Sequence, residues 1–184
     1  PENTCISVNE EVVHGIPSER KLKEGDIVSV DLGIKKDGYF ADMAFTVGVG
    51  KVGAILKKLM EVTKRALDLG IREARVNNHI MDISYAIQSH VESKGFSVVR
   101  DFVGHGIGTR LHEDPEVPNF GKPHTGQVIK EGLVLAIETM VNMGSWEVKL
   151  KDNGWTAVTK DKLPSAHFEH TVAVTKGGAQ ILTQ

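Results

Sequence analysis

Five side chains have the types and settings that divalent-metal chemistry needs: Asp31, Asp42, His105, Glu138 and Glu169. His105 belongs to Gly104-His105-Gly106-Ile107-Gly108-Thr109-Arg110-Leu111-His112-Glu113-Asp114-Pro115, directly after Phe102-Val103. This stretch combines two imidazoles, three glycines and an acidic pair, and alternating glycines let backbone approach a ligand closely. Glu138 interrupts the apolar run from Gly132 to Val141, and Glu169 does the same in Phe168-Glu169-His170-Thr171-Val172-Ala173-Val174. An ionised carboxylate buried in such a strand is costly unless it is paired or bound to metal. Four carboxylates and one imidazole form a mostly hard-oxygen set, suited to two divalent cations that share bridging carboxylates, activate a water and polarise a carbonyl. Without metal, four negative charges in one cavity repel, and some must take up protons. Charge alone does not separate a peptide bond from a phosphate ester as the substrate.

Strands must carry most of this set. Ile27 to Ile34 reads as a strand, Lys35-Lys36-Asp37-Gly38 supplies turn chemistry, and Tyr39 to Val47 returns as the second arm of a hairpin. With Lys36-Asp37 as the loop, Asp31 lies directly opposite Asp42. With Asp37-Gly38 as the loop, Asp42 is diagonal to Asp31 on the same face. A three-residue loop separates them unless a bulge intervenes. Like charges facing each other are destabilising unless a cation lies between them.

Shorter strands are expected at Cys5-Ile6-Ser7-Val8 and Glu11 to Pro17, with His14 facing inward after two valines. Gly48-Val49-Gly50-Lys51-Val52-Gly53 matches a dinucleotide-binding fingerprint. It follows an antiparallel hairpin rather than opening a parallel strand–helix–strand unit, so no nucleotide site is expected. An amphipathic helix is predicted over 53–70, with Ile55, Leu59, Val62, Ala66 and Leu69 on its apolar face. A second is predicted over 79–94, capped by Asn78 and ended by Gly95, with His79 and His90 as surface or packed residues. Residues 115–126 read as loop, where His124 has no evident partner. Asn153-Gly154-Trp155-Thr156 reads as a turn presenting an aromatic ring.

At 184 residues the chain fits one domain, residues 1–184, which can bury a sizeable core without disulfides. A net charge of -2 gives no support to nucleic acid or an anionic membrane as partner. One cysteine, Cys5, suits a reducing compartment, and no apolar run approaches the roughly eighteen residues that span a bilayer. The expected setting is cytoplasmic. The chain opens on Pro1 rather than methionine, and an N-terminally shortened domain is expected.

The succession Val13-His14-Gly15-Ile16-Pro17, Val30-Asp31, Ala41-Asp42, Gly104-His105-Gly106-Ile107-Gly108, Leu111-His112-Glu113-Asp114-Pro115, Ile137-Glu138, Asn153-Gly154-Trp155-Thr156 and Phe168-Glu169-His170-Thr171 resembles the methionine aminopeptidase family, of the creatinase-like pita-bread fold. Glu138 and Glu169 are 31 positions apart, which leaves no room for the helical insertion of the family's type 2 branch, so the likeness is to type 1. It implies an α+β domain, a curved antiparallel sheet holding the site, with helices packed on its convex face. It also implies metal-dependent removal of N-terminal methionine by two divalent ions, with cobalt, manganese, iron(II) and zinc all acceptable to the donors. Asp42 and Glu169 then bridge, Asp31 completes one metal, and His105 and Glu138 complete the other.

By the same resemblance Glu138 doubles as general base, His112 donates to the developing oxyanion, and His14 contacts the scissile amide nitrogen. Cys5, Leu111 and Trp155 line the methionine pocket, with leucine at 111 where many members carry phenylalanine. The family carries helices and an opening strand upstream of the Cys5 region, so the expectation is of a domain shortened at that end. Expected partners are peptides with N-terminal methionine, with transient ribosome association as a further candidate; a monomer is expected, with neither nucleic acid nor membrane. Two competing readings are an Xaa-Pro aminopeptidase or prolidase of the same fold and a catalytically silent pita-bread binding module. The second is disfavoured because all five ligands are present.

Overall fold

The computed structural model describes residues 4–183. Its elements run β1 (Thr4–Val8), β2 (Glu11–Val13), β3 (Ile27–Lys36), β4 (Tyr39–Gly48), α1 (Ala54–Glu73), α2 (Ile80–Ser93), β5 (Ser97–Val98), β6 (Val103–Gly106), β7 (Glu113–Pro118), β8 (Val134–Asn142), β9 (Val148–Leu150), β10 (Ala157–Thr159), β11 (Ser165–Thr175) and β12 (Gly178–Ile181). The main sheet is antiparallel in the order β1-β3-β4-β11-β8-β6-β7, with β12 on β11 and β5 on β8, and β2-β10-β9 form a second, small sheet. The architecture is the expected α+β class.

Register decides which side chains share a face, because neighbours directly opposite point the same way and side chains alternate along each strand. Asp37-Gly38 form the β3–β4 loop, with Lys36 opposite Tyr39 and positive φ at both loop residues, so Asp42 pairs with Gly33 and is diagonal to Asp31. Asp31 faces Ala44, Ala44 faces Glu169, and Glu169 faces Glu138. His105 lies opposite Ala136, two positions from Glu138. Strand parity alone therefore puts the five predicted ligands on one face, joined by Cys5, which lies opposite Asp31.

The other face carries the core. Leu135, Ile137, Val141, Val172 and Val174 pack with Leu59, Val62, Ala66 and Leu67 of α1 and with Ile83, Ile87 and Val91 of α2. The helices thus cover the face opposite the site. The buried stripe of α1 includes Thr63, Leu67, Gly70 and Ile71, and it turns away from Ile55, which stays 50% exposed contrary to expectation. α2 is capped by His79 rather than Asn78: Asp82 accepts the His79 N–H at 2.7 Å, while the Asn78 amide is occupied with Glu73. The segment expected to be loop from Pro115 begins as strand β7. As a sheet edge β7 tolerates Pro115 and Pro118, whose missing N–H groups need no ladder partner there.

β4 and β11 are paired only at Ala44–Glu169 and Met43–His170. Hydroxyls close the ladder on either side. Thr171 Oγ1 accepts the Asp42 N–H at 2.9 Å and donates to the Asp42 carbonyl at 2.8 Å. Thr46 Oγ1 accepts the His167 N–H at 2.9 Å and is 2.8 Å from the His167 carbonyl. Thr171→Val leaves the buried backbone of Asp42 unpaired and is expected to cost about 1–2 kcal/mol in urea denaturation.

Candidate dinuclear metal centre

Asp31, Asp42, His105, Glu138 and Glu169 line one cavity of about 220 Å³, together with His14, Phe102 and His112. Asp42, His105 and Glu169 are buried, and each offers a ligand atom within 4.8 Å of the others. The structure brings together every ligand predicted from the sequence.

His105 sits between two glycines because backbone crowds it on both sides. A Cβ on Gly104 would come within 2.5 Å of the Ala136 carbonyl, and one on Gly106 would collide with the Asp114 carbonyl. His105 Nδ1 lies 2.9 Å from the Gly106 carbonyl, which can only accept, so Nδ1 carries the proton. Nε2 then keeps its lone pair for a cation, the arrangement typical of metal-bound histidine. Its ring meets that of His112 edge-on, with centroids 4.4 Å apart. The turn carrying Leu111 and His112 is fixed by Glu113, whose Oε1 accepts the Arg110 N–H at 2.8 Å and the Thr109 hydroxyl at 3.1 Å.

The electrostatics are those of carboxyl groups crowded together away from water. Burial, reinforced by Asp31 and Glu138, pushes the Asp42 carboxyl up to about 6. Burial raises Glu169 well above the carboxylate range, helped by Glu138, Asp42 and Asp31, and raises Asp31 too. Asp42 Oδ1 and Glu169 Oε1 are buried without a hydrogen-bond partner. Orphaned carboxylate oxygens converging on an imidazole lone pair are the donor set of a hard divalent ion, so these residues fit a metal centre.

His14 lies at φ 60, between β2 and the close backbone approach of Gly15 to Ile6. Its ring packs edge-on against Phe102 at 5.5 Å and tilted against Trp155 at 5.2 Å. Asn153 Oδ1 accepts the N–H groups of Trp155 and Thr156, each at 3.0 Å, and so holds that turn in place. Burial lowers the pKa of both His14 and His112, in the latter case with help from His105. A second cavity of about 510 Å³ shares His14, Asp31, Asp42 and His112 with the first and is lined further by Cys5, Ile34, Phe40, Leu111 and Trp155. Burial, then Asp31 and Asp42, push the Cys5 thiol up to about 11, so it stays an uncharged wall of this pocket.

Sequence reasoning missed His167, Phe102 and Phe40. His167 is fully buried, with Nε2 3.5 Å from Glu138 Oε2 and 4.0 Å from Glu169 Oε2. Burial alone would lower its pKa, but the neighbouring Glu138, Asp31 and Asp42 raise it. The signal for it was available, since His167 stands two positions from Glu169 on β11 and therefore shares its face.

The model of metallopeptidase family M24 matches residues 1–176. The chain is 54% identical to a methionine aminopeptidase of Clostridium perfringens, over all of this chain and 74% of that protein. It is 53% identical to methionine aminopeptidase 1 of Bacillus subtilis, over 98% of this chain and 73% of that protein. The crystal structure of methionine aminopeptidase from Thermotoga maritima superposes with a TM-score of 0.97 at 52% identity, covering 98% of this chain and 73% of that one. A prolidase from Pyrococcus horikoshii, at 23% identity and a TM-score of 0.79 over all of this chain and 48% of its own, shares the pita-bread fold alone. Half-identity along the whole chain, joined to a family model that matches residues 1–176, makes this chain a member of metallopeptidase family M24, in its methionine aminopeptidase branch.

Proposed function

We propose that residues 1–184 act as one metallopeptidase domain that removes the N-terminal methionine from peptides and nascent proteins. The observation that carries the reading is the pair of cavities, one lined by the five ligands and the other by apolar walls, joined through His14, Asp31, Asp42 and His112. In this reading Asp31, Asp42, His105, Glu138 and Glu169 would hold two divalent ions, with Asp42 and Glu169 contributing to both, Asp31 to one, and His105 and Glu138 to the other. Once bound, the ions supply a water of lowered pKa and polarise the peptide carbonyl.

The chain's own side chains do the rest. Glu138 takes the proton of the attacking water and returns it to the leaving amine. His112, kept neutral by burial, donates an N–H to the oxygen on which charge develops. His14, also kept neutral, meets the scissile amide nitrogen. Cys5, Leu111, Phe40 and Trp155 receive the methionine thioether, a flexible group that packs well against aromatic and sulfur surface. Leucine at position 111 leaves the wall more open than phenylalanine would.

A cytoplasmic setting, a monomer and transient ribosome association belong to the same proposal, the first supported by the single free cysteine. Substrate competition tests the reading: Met-Gly-Met is expected to be cleaved and Xaa-Pro peptides left intact, and preferential cleavage of Xaa-Pro overturns it. Trp155→Ala is expected to lower kcat/KM on Met-Gly-Met about tenfold, mainly through KM, with bound metal unchanged. Steady-state kinetics beside metal analysis checks this.

A further inference from the structure

Away from the catalytic cavity, three side chains converge where residues 119–128 cross the start of α2. The crossing is fixed by backbone: His79 bridges Val128, Ile80 N–H donates to the Gln127 carbonyl, and Met81 N–H donates to that of Thr125. His124 adopts φ 61, a left-handed conformation uncommon for a residue with a side chain, and so reaches Asp82. Asp82 Oδ2 accepts the His79 N–H and its Oδ1 the His124 N–H, each at 2.7 Å.

Both imidazoles turn the same atom to that carboxylate. His79 Nδ1 lies 3.6 Å from Asp82 Oδ2, and His124 Nδ1 lies 3.4 Å from Oδ1. Both separations exceed an N–H···O hydrogen bond, about 2.7–3.2 Å. They are close to the edge of a tetrahedral metal site, since metal–ligand bonds of about 2.0–2.1 Å place neighbouring donors about 3.3–3.4 Å apart. One ligand atom from each of the three residues lies within 4.8 Å of the others. The Asp82 side chain is 10% exposed and that of His124 85%, so the cluster is backed by protein and open to solvent on one side. The positive end of α2 disfavours a cation by roughly half a charge, which the full charge of Asp82 exceeds.

We infer that His79, Asp82 and His124 form a second, mononuclear site for a transition-metal cation of the zinc type, which clips residues 119–128 to the start of α2. Two imidazoles and one carboxylate favour zinc, nickel or copper(II) over magnesium or calcium, and the open side leaves a fourth position for water. None of the three residues belongs to the catalytic set. The sequence alone marks His79 as a surface or packed residue and gives His124 no partner, because only the fold brings them to Asp82.

The test counts zinc in protein stripped with chelator and re-equilibrated with chelator-buffered zinc. Asp42→Asn serves as background, because it weakens the catalytic ions while leaving α2 untouched. That protein is expected to retain one equivalent, lost in both His79→Asn and His124→Asn. Asparagine is chosen because it caps helices and tolerates left-handed backbone, so the local structure survives. Copper(II) added to the same background gives an independent readout, with spin-resonance coupling to two nitrogens expected before substitution and one after either change. Equal zinc content in background and both variants, or copper spectra that neither variant alters, overturns the site.

Discussion

Glu138→Gln is expected to lower the turnover of a Met-Gly-Met peptide by about 10²–10⁴-fold, the range contributed by one positioned general base. Glutamine keeps the size of the side chain and one oxygen donor but has no basic site for the proton of the attacking water. The residue is held well enough for the comparison to be clean: β8 is paired to β11 from Asn142 to Val134, and Glu138 sits mid-ladder opposite Glu169. His167 Nε2 approaches it from within the protein at 3.5 Å. The expected signature is a fall in kcat with KM little changed, because the wall of the methionine pocket is untouched. Metal analysis must accompany the kinetics, since Glu138 is also a proposed ligand. A variant that keeps two ions and still turns over at the wild-type rate contradicts its role as base.

Asp42→Asn is expected to stabilise the metal-free protein by about 2–3 kcal/mol at pH 7, while weakening its binding of divalent ions. The sign follows from the direction of the shift. The Asp42 carboxyl is raised from an ordinary 3.8 to about 6, first by burial and then by Asp31 and Glu138. A raised carboxyl contributes stability that is fully present below its unfolded pKa and is lost as pH rises through the folded one. At about pH 4 wild-type Asp42 is still protonated in the folded protein, so asparagine gains little. The benefit grows between about pH 4 and 6 and levels off above that. Urea titrations of both metal-free proteins at several pH values measure the difference, and a gain independent of pH contradicts the account. Added Mn²⁺ is expected to reverse the ranking at pH 7, since ligand that binds only the folded protein stabilises it. Its apparent affinity should fall below about pH 6, where the proton competes for the same oxygens.

Both predictions rest on residues that local patterning exposes. A carboxylate within a run such as Leu135 to Val141 violates the apolar rule for buried strands, and Glu169 repeats the violation, so both stand out without any tertiary information. The β3–β4 hairpin was equally legible, because either two-residue loop puts Asp31 and Asp42 on one face; the left-handed backbone of Asp37 and Gly38 then selects the diagonal register. Strand order was not legible. That β11 lies between β4 and β8 is a long-range pairing, and it alone brings a hairpin near the start of the chain against two strands near its end.

His167 was missed because histidine in a strand is not anomalous by itself; its importance comes from lying beneath two glutamates from different strands. Ile55 misled for a related reason, since helical periodicity locates a stripe but not the partner that decides how far it is covered. The strand β7 was hidden by Pro115 and Pro118, which forbid a central strand but not an edge.

The most direct test of the central claim is release of free methionine from Met-Gly-Met by chelator-stripped protein, with and without added Mn²⁺ or Co²⁺, beside the Glu138→Gln variant. The account predicts no release without metal, restored release with either ion, and loss of that restoration in the variant. Folded protein that binds two ions and releases no methionine, or that releases it equally well after complete metal removal, contradicts it.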